Sequence, residues 1–201
     1  MLFRSYRGLA QTLAATDDAI YSNSNLTVNL NASNWANVPL PQIIFAEVDV
    51  HVTGNYAWSL LVVAKGNIII DDNLTFANNP GSPTHPQIGL LADGDVVIPA
   101  SAPGDLSVQA FVIADGDNPG SQGTFSADGA KFSKNSLNFE GAIATRGRGG
   151  RSAIDLNVFR ERNYLFDSTL STNPSIPFSP FIANIIHWQE VSPFDPFPPA
   201  P

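Results

Sequence analysis

The chain has no cysteine and a single methionine, and cations are scarce: 10 Lys and Arg stand against 18 Asp and Glu in 201 residues. The missing thiols exclude disulfides, thiolate metal sites and cysteine nucleophiles, but they leave the compartment open, because secreted proteins can also lack cysteine. The formal net charge of -8 argues against broad electrostatic attraction to nucleic acid or to an anionic membrane. No apolar run approaches the roughly 18 residues that a membrane-spanning helix needs, and residues 1–20 hold no apolar stretch followed by a small-residue cleavage site. Neither a span nor an export signal is therefore expected in this sequence, and work outside the cell would make it a fragment or the mature portion of something longer.

Hydrophobic residues make up 43% of the chain and charged residues 14%, a balance that belongs to a globular protein rather than a disordered one. At this length one continuous core can withdraw on the order of 70% of the unfolded surface from water, so no staples are required. Asn, Gly, Pro and Ser are abundant, which suits a turn-rich β protein.

Three segments read almost alike: Val63-Ala64-Lys65-Gly66-Asn67-Ile68, Leu91-Ala92-Asp93-Gly94-Asp95-Val96 and Ile113-Ala114-Asp115-Gly116-Asp117. Phe45-Ala46-Glu47-Val48-Asp49-Val50 is a weaker version, and Ser126-Ala127-Asp128-Gly129 follows without a strong apolar lead. Apolar β-formers ahead of a small residue and a turn-capable pair, repeated at variable spacing, mark stacked strand-and-turn units that bury their faces only against each other. The expected fold is all-β: a right-handed parallel β-solenoid over residues 19–191, preceded by an N-terminal helix in residues 1–18 and followed by a Pro-rich tail in residues 192–201.

The helix follows from Leu2, Phe3, Tyr6, Leu9, Ala10 and Leu13, which form one stripe at helical spacing. Its expected role is to cap an open end of the stack. Strands are expected over Leu26–Leu30, Ile43–Thr53, Leu60–Ile70, Gly89–Ile98, Leu106–Ala114 and Leu137–Ala144, separated by Asn, Gly, Pro and Ser clusters. The run Leu60 to Ala64 is apolar at odd and even positions alike, so something must cover its outer face. The closing Pro193 to Pro201 segment cannot form a helix or an internal strand.

The ordered set Ile44 to Gly54, Leu61 to Ile70 and Ile88 to Val96, followed by Leu137 to Ile143, Tyr164-x-Phe166-Asp167-x-x-Leu170 and Ile186-His187-Trp188-Gln189-Glu190, resembles the β-solenoid domain of type IV pilus accessory proteins. These are PilX-like proteins and the ComZ-like large minor pilins of the Deinococcus and Thermus group. Residues 1–18 depart from that family's hydrophobic pilin helix, and Pro177-Phe178-Ser179-Pro180-Phe181 replaces its usual proline turn. The resemblance implies a non-enzymatic module at the cell surface, outside the cell and associated with a pilus. Its implied partners are pilus or cell-surface proteins, including further copies of this chain, and DNA.

Residues that could carry chemistry are few. Asp71, Asp72, Asp93, Asp95, Asp115, Asp117 and Asp128 could line one edge and bind Ca²⁺ if six to eight oxygens converged. Unequal spacing favours turn residues that tolerate a left-handed backbone and bond to their own turn, so no metal and no cofactor is expected. His51, His85 and His187 lie far apart with no second ligand at metal spacing. Asp93 and Asp95 are the carboxylates to weigh for a polysaccharide-cleaving enzyme, and turn placement accounts for both. Half of all the basic residues, Arg146, Arg148, Arg151, Arg160 and Arg162, lie in one glycine-containing segment. They are the candidate nucleic-acid contacts, with Phe159 or Tyr164 as stacking surfaces. The alternatives to a pilus-associated module are a β-helix that binds or cleaves polysaccharide and a bactofilin-like polymer-forming scaffold.

Overall fold

Each Ala-x-Gly-Asx step bends the chain, so every long apolar run becomes two strands instead of one. The computed structural model describes residues 2–35, 40–77, 85–147, 153–167, 169 and 175–178. Helix α1 (Leu2–Leu13) leads into β1 (Ala19–Ser22), β2 (Leu26–Asn29), β3 (Ile43–Ala46), β4 (Val50–Tyr56), β5 (Leu60–Ala64) and β6 (Ile68–Phe76). Then follow β7 (Ile88–Ala92), β8 (Val96–Ile98), β9 (Asp105–Ala114), β10 (Phe125–Ala127), β11 (Lys134–Thr145), β12 (Ile154–Asp155) and β13 (Phe159–Phe166). The expected strands 43–53, 60–70 and 89–98 are each divided at the bend. The expected closing strand around Ile186 and the Pro-rich tail lie outside the described residues, as do Arg148 and Arg151.

The structure is thus mostly parallel β-sheet with one short N-terminal helix. All the strand pairings are parallel, and they sort into three ladders. In the first, β1, β3, β5 and β7 pair in succession and end on the second halves of β9 and β11. In the second, β2, β4, β6, β8, β10 and β12 follow one another. The third joins the ends of β4 and β6 to the first halves of β9 and β11 and then to β13. The sheet stays open: its pairing path runs from β1 to β12 without closing.

In-register parallel pairing places like residues in columns. Ile44, Val62, Leu90 and Val112 form one such column, and Val50, Ile68 and Val96 another; all are buried in the inner core. In the third ladder Leu106, Leu137 and Arg162 share a column, next to Val108, Phe139 and Tyr164.

Strands β4, β6 and β9 alternate buried and less buried positions, whereas β3, β5 and β7 are buried throughout. The cover on that outer face is α1, assisted by Ile176. Tyr6 and Ala10 pack on Ile43, Phe45, Leu61, Val63 and Leu91, and the Tyr6 hydroxyl donates to the Phe178 carbonyl at 2.9 Å. Burial pushes the Tyr6 phenol up to about 12. The helix therefore lies on a flank of the sheet, and no residue of it joins the inner core. Arg7 ties this flank down through an ion pair with Glu47, which also accepts the Tyr21 hydroxyl at 2.7 Å. Burial would raise the Glu47 carboxyl, but the bonds from Tyr21 and Arg7 outweigh it and hold it below its ordinary value.

Candidate functional site

The bends stack into a continuous spine. Lys65 N donates to Ala46 O, Asp93 N to Ala64 O, Asp115 N to Ala92 O and Arg146 N to Ala114 O, each at 2.9 to 3.1 Å. Beside this backbone ladder runs one of side chains. Asn25 Oδ1 accepts the N–H of Asp49, Asp49 Oδ1 that of Asn67, Asn67 Oδ1 that of Asp95, and Asp95 Oδ1 that of Thr124. Asp95, expected to serve its own turn, serves the next bend with the other ladder residues, none of which has a positive φ, whereas Asp72 accepts the N–H of its neighbour Asn73 at 2.6 Å. Each ladder residue satisfies the next bend. Asn31 and Asn73 do likewise for Asn55 and Ser107, which gives Asn25, Asn31 and Asn73 a structural role.

Glycine is needed where this ladder passes. A Cβ on Gly66 would stand 2.2 Å from Asp49 Oδ1, and one on Gly94 would stand 2.4 Å from Asn67 Oδ1.

Alignment by motif would place Asp117 after Asp95 in the ladder, yet Thr124 occupies that place. Gly116 and Gly123 both have φ of +67° and lie against each other, so residues 117–122 loop out. Asp117 is thereby carried to Asp93 and Asp115, and carboxylate oxygens of the three lie within 4.8 Å of one another. Arg146 offsets part of this negative charge, with Nη1 at 3.1 Å from Asp115 and 2.7 Å from Asp117. Burial first, and then the charges of Asp115 and Asp117, raise the Asp93 carboxyl. Aspartates 93, 115 and 117 thus converge, while Asp71 faces His51 at 2.8 Å and Asp95 is committed to the ladder.

The described arginines of this set, Arg146, Arg160 and Arg162, are dispersed. Arg162 is in register with Leu137, and Arg146 lies nine residues beyond it, which is about 30 Å of strand at ~3.3 Å per residue. Arg160 donates to Phe132 O at 3.1 Å and Arg162 to Asn157 Oδ1 at 2.9 Å. Phe159 is fully buried and offers no stacking face, and Tyr164 is half-exposed in the column of Phe139.

Sequence reasoning did not anticipate a polar knot around His85. The His85 ring stacks on Phe76 at 4.2 Å and its Nε2 lies 3.4 Å from Asp167 Oδ1. Thr169 donates to the same oxygen at 2.6 Å and accepts from Gln87 Nε2, while Gln87 Oε1 accepts the N–H of Ser175 at 2.7 Å. Tyr56 closes the knot by donating to Gln109 O at 2.8 Å. Its hydroxyl is driven well above the ordinary range by burial, with Asp167 and Glu140 adding to the effect. The cavity of about 10 Å³ beside it holds at most one water. A knot so tight pins His85 and Gln87 to Asp167, Thr169 and Ser175 and leaves no room for a substrate.

An open hollow faces outward on the third ladder. It encloses about 340 Å³ over β6, β9, β11 and β13 and is lined by Ser107, Gln109, Asn138, Glu140 and Asn163, with Leu165 at its rim. Pairing puts these side chains in two rows, Ser107–Asn138–Asn163 and Gln109–Glu140–Leu165. Among the described residues no helix is long and apolar enough to cross a membrane. Compared with protein-family models, curated proteins and solved structures, the chain matches none.

Proposed function

We propose that the three ladders are the faces of a right-handed parallel β-solenoid that works as a non-enzymatic, pilus-associated module at the cell surface, presenting its loops for adhesion or assembly. The right hand follows from the strong bias of parallel crossovers. The observation that carries the reading is the unbroken side-chain ladder from Asn25 to Thr124. It commits the most regular polar groups of the chain to holding a rod together. The resemblance of residues 44–54, 61–70 and 88–96 to the pilus accessory family supplies the location. DNA capture is the weaker part of the proposal, because Arg146 already has two carboxylates and Arg160 and Arg162 lie far along the strand from it.

The test is to shear surface filaments from cells that produce the protein and to probe both fractions with antibody. Recovery with the sheared filaments supports the proposal; retention in the cell interior rejects it. DNA binding is checked separately by titrating salt. Affinity that falls steeply with salt and disappears in Arg146→Ala/Arg148→Ala/Arg151→Ala would assign it to this segment.

A further inference from the structure

The geometry points to the outward hollow on β6, β9, β11 and β13 as a binding site for a neutral oligosaccharide. Among the described residues its lining holds amides, the hydroxyls of Thr75 and Ser107 and one carboxylate, and no Lys or Arg. A cation needs several converging oxygens of negative charge, and among the described residues Glu140 is the one carboxylate there. An anionic ligand would meet that carboxylate with no compensating cation. An uncharged ligand with hydroxyls that both donate and accept fits the chemistry.

Part of the polar floor is spoken for and part is left open. Gln109 Nε2 donates to Glu140 Oε2 at 2.6 Å, Gln109 Oε1 accepts the N–H of Phe76, and Asn163 Nδ2 donates to Asn138 Oδ1 at 2.9 Å. These bonds fix the side chains in place. Glu140 Oε1 and Asn163 Oδ1 remain as acceptors, and Asn138 Nδ2 and the Ser107 hydroxyl as donors, with no partner among the described residues. Held donors and acceptors in two parallel rows suit adjacent hydroxyls on a sugar ring, and preorganisation lowers the entropy cost of binding.

The second observation is apolar. A second hollow of about 220 Å³ takes in Phe139, Ile143, Tyr164 and Phe166, which alternate with the floor residues and lie on the inner-core side of the strands, so Leu165 is the apolar side chain that the outward hollow itself presents. Leu165 is 62% exposed, the highest of the exposed large apolar side chains. A pyranose presents polar edges and apolar C–H faces, so a polar floor with the Leu165 side chain at its rim can engage both. The hollow spans several strands and is open at its sides, which favours a chain of sugars over a single one. The assignment rests on strand register and side-chain chemistry and is independent of where the protein resides.

Calorimetric titration of the full chain with cellohexaose, xylohexaose, mannohexaose and hexagalacturonate tests it. Saturable binding of at least one neutral hexamer is expected, with no binding of the acidic one. Asn138→Ala/Asn163→Ala should weaken that binding by about tenfold, as expected for losing one or two hydrogen bonds. Leu165→Asp, a change at the exposed rim, should weaken it as well and keeps the test valid if the double variant does not fold. Binding of none of the neutral hexamers, equal or tighter binding of hexagalacturonate, or parental affinity in a folded Asn138→Ala/Asn163→Ala protein would overturn the assignment. Release of new reducing ends would keep the site and reject the non-enzymatic reading above, so the two proposals fail separately.

Discussion

Asp49 accepts the backbone N–H of Asn67 through Oδ1 at 2.6 Å, and Asn67 then does the same for Asp95 at 2.9 Å. Each residue is both a customer and a supplier of the same bond. Removal of one side chain therefore orphans a donor in the following bend, not in its own.

Asn67→Ala should lower unfolding stability by about 1–3 kcal/mol, the cost of leaving a partly buried N–H without its acceptor. Asn67→Asp should cost less, because Asp49 and Asp95 perform the same task with a carboxylate. Urea denaturation of the three proteins gives the order; parental stability in Asn67→Ala would remove the ladder from the account of stability.

The glycines separate space from flexibility. At Gly94 an added methyl would sit 2.8 Å from the Gly66 carbonyl as well as against Asn67, so Gly94→Ala should destabilise by about 2 kcal/mol or more. Gly8 lies in α1 with nothing within 4 Å of its Cβ position, and Gly8→Ala should stabilise by up to about 1 kcal/mol. Thermal melts of both variants should move in opposite directions.

The acidic group at the bend predicts a pH dependence. The Asp93 carboxyl is raised in the folded state, by burial first and then by Asp115 and Asp117. The folded protein then holds its proton more tightly than the unfolded one, so this group lowers stability as pH rises from the ordinary aspartate range through the raised value. Asp93→Asn should accordingly melt higher than the parent at neutral pH, and the gain should vanish below the ordinary aspartate range. A constant difference at all pH values would show that packing, not charge, accounts for it.

The flank under α1 makes a further prediction. Removal of residues 1–13 would uncover Ile43, Phe45, Leu61 and Val63, side chains worth about 1.5–3 kcal/mol each when fully buried. The shortened protein should bind a hydrophobic dye and self-associate in light scattering while the inner core keeps its β-sheet circular dichroism. A monomeric, dye-free product would mean that the helix is not needed as cover.

The sequence made the helix, the bends and the need for an outer cover readable, because each is written in neighbouring residues. Leu2 to Leu13 carry a helical stripe, and Leu60 to Ala64 carry a run too apolar for a solvated face. What lay between distant residues was not readable. The partner of Asn67 is 28 residues ahead, and the detour at 117–122 replaces Asp117 by Thr124. A column alignment of Asp49, Asn67 and Asp95 was the signal for the ladder. Strand β13 was hidden by Arg160, Glu161 and Arg162, which break any apolar pattern, and with it went the outward hollow, whose rows draw on separate strands.

Arg162 stands in the column of Leu106 and Leu137. A further parallel strand laid on β13 would have to set its own side chain over a guanidinium held by Asn157, where every earlier layer met a hydrocarbon. The charge therefore disfavours a further apolar strand over β13 at this column and discourages edge-to-edge growth into a fibre through it.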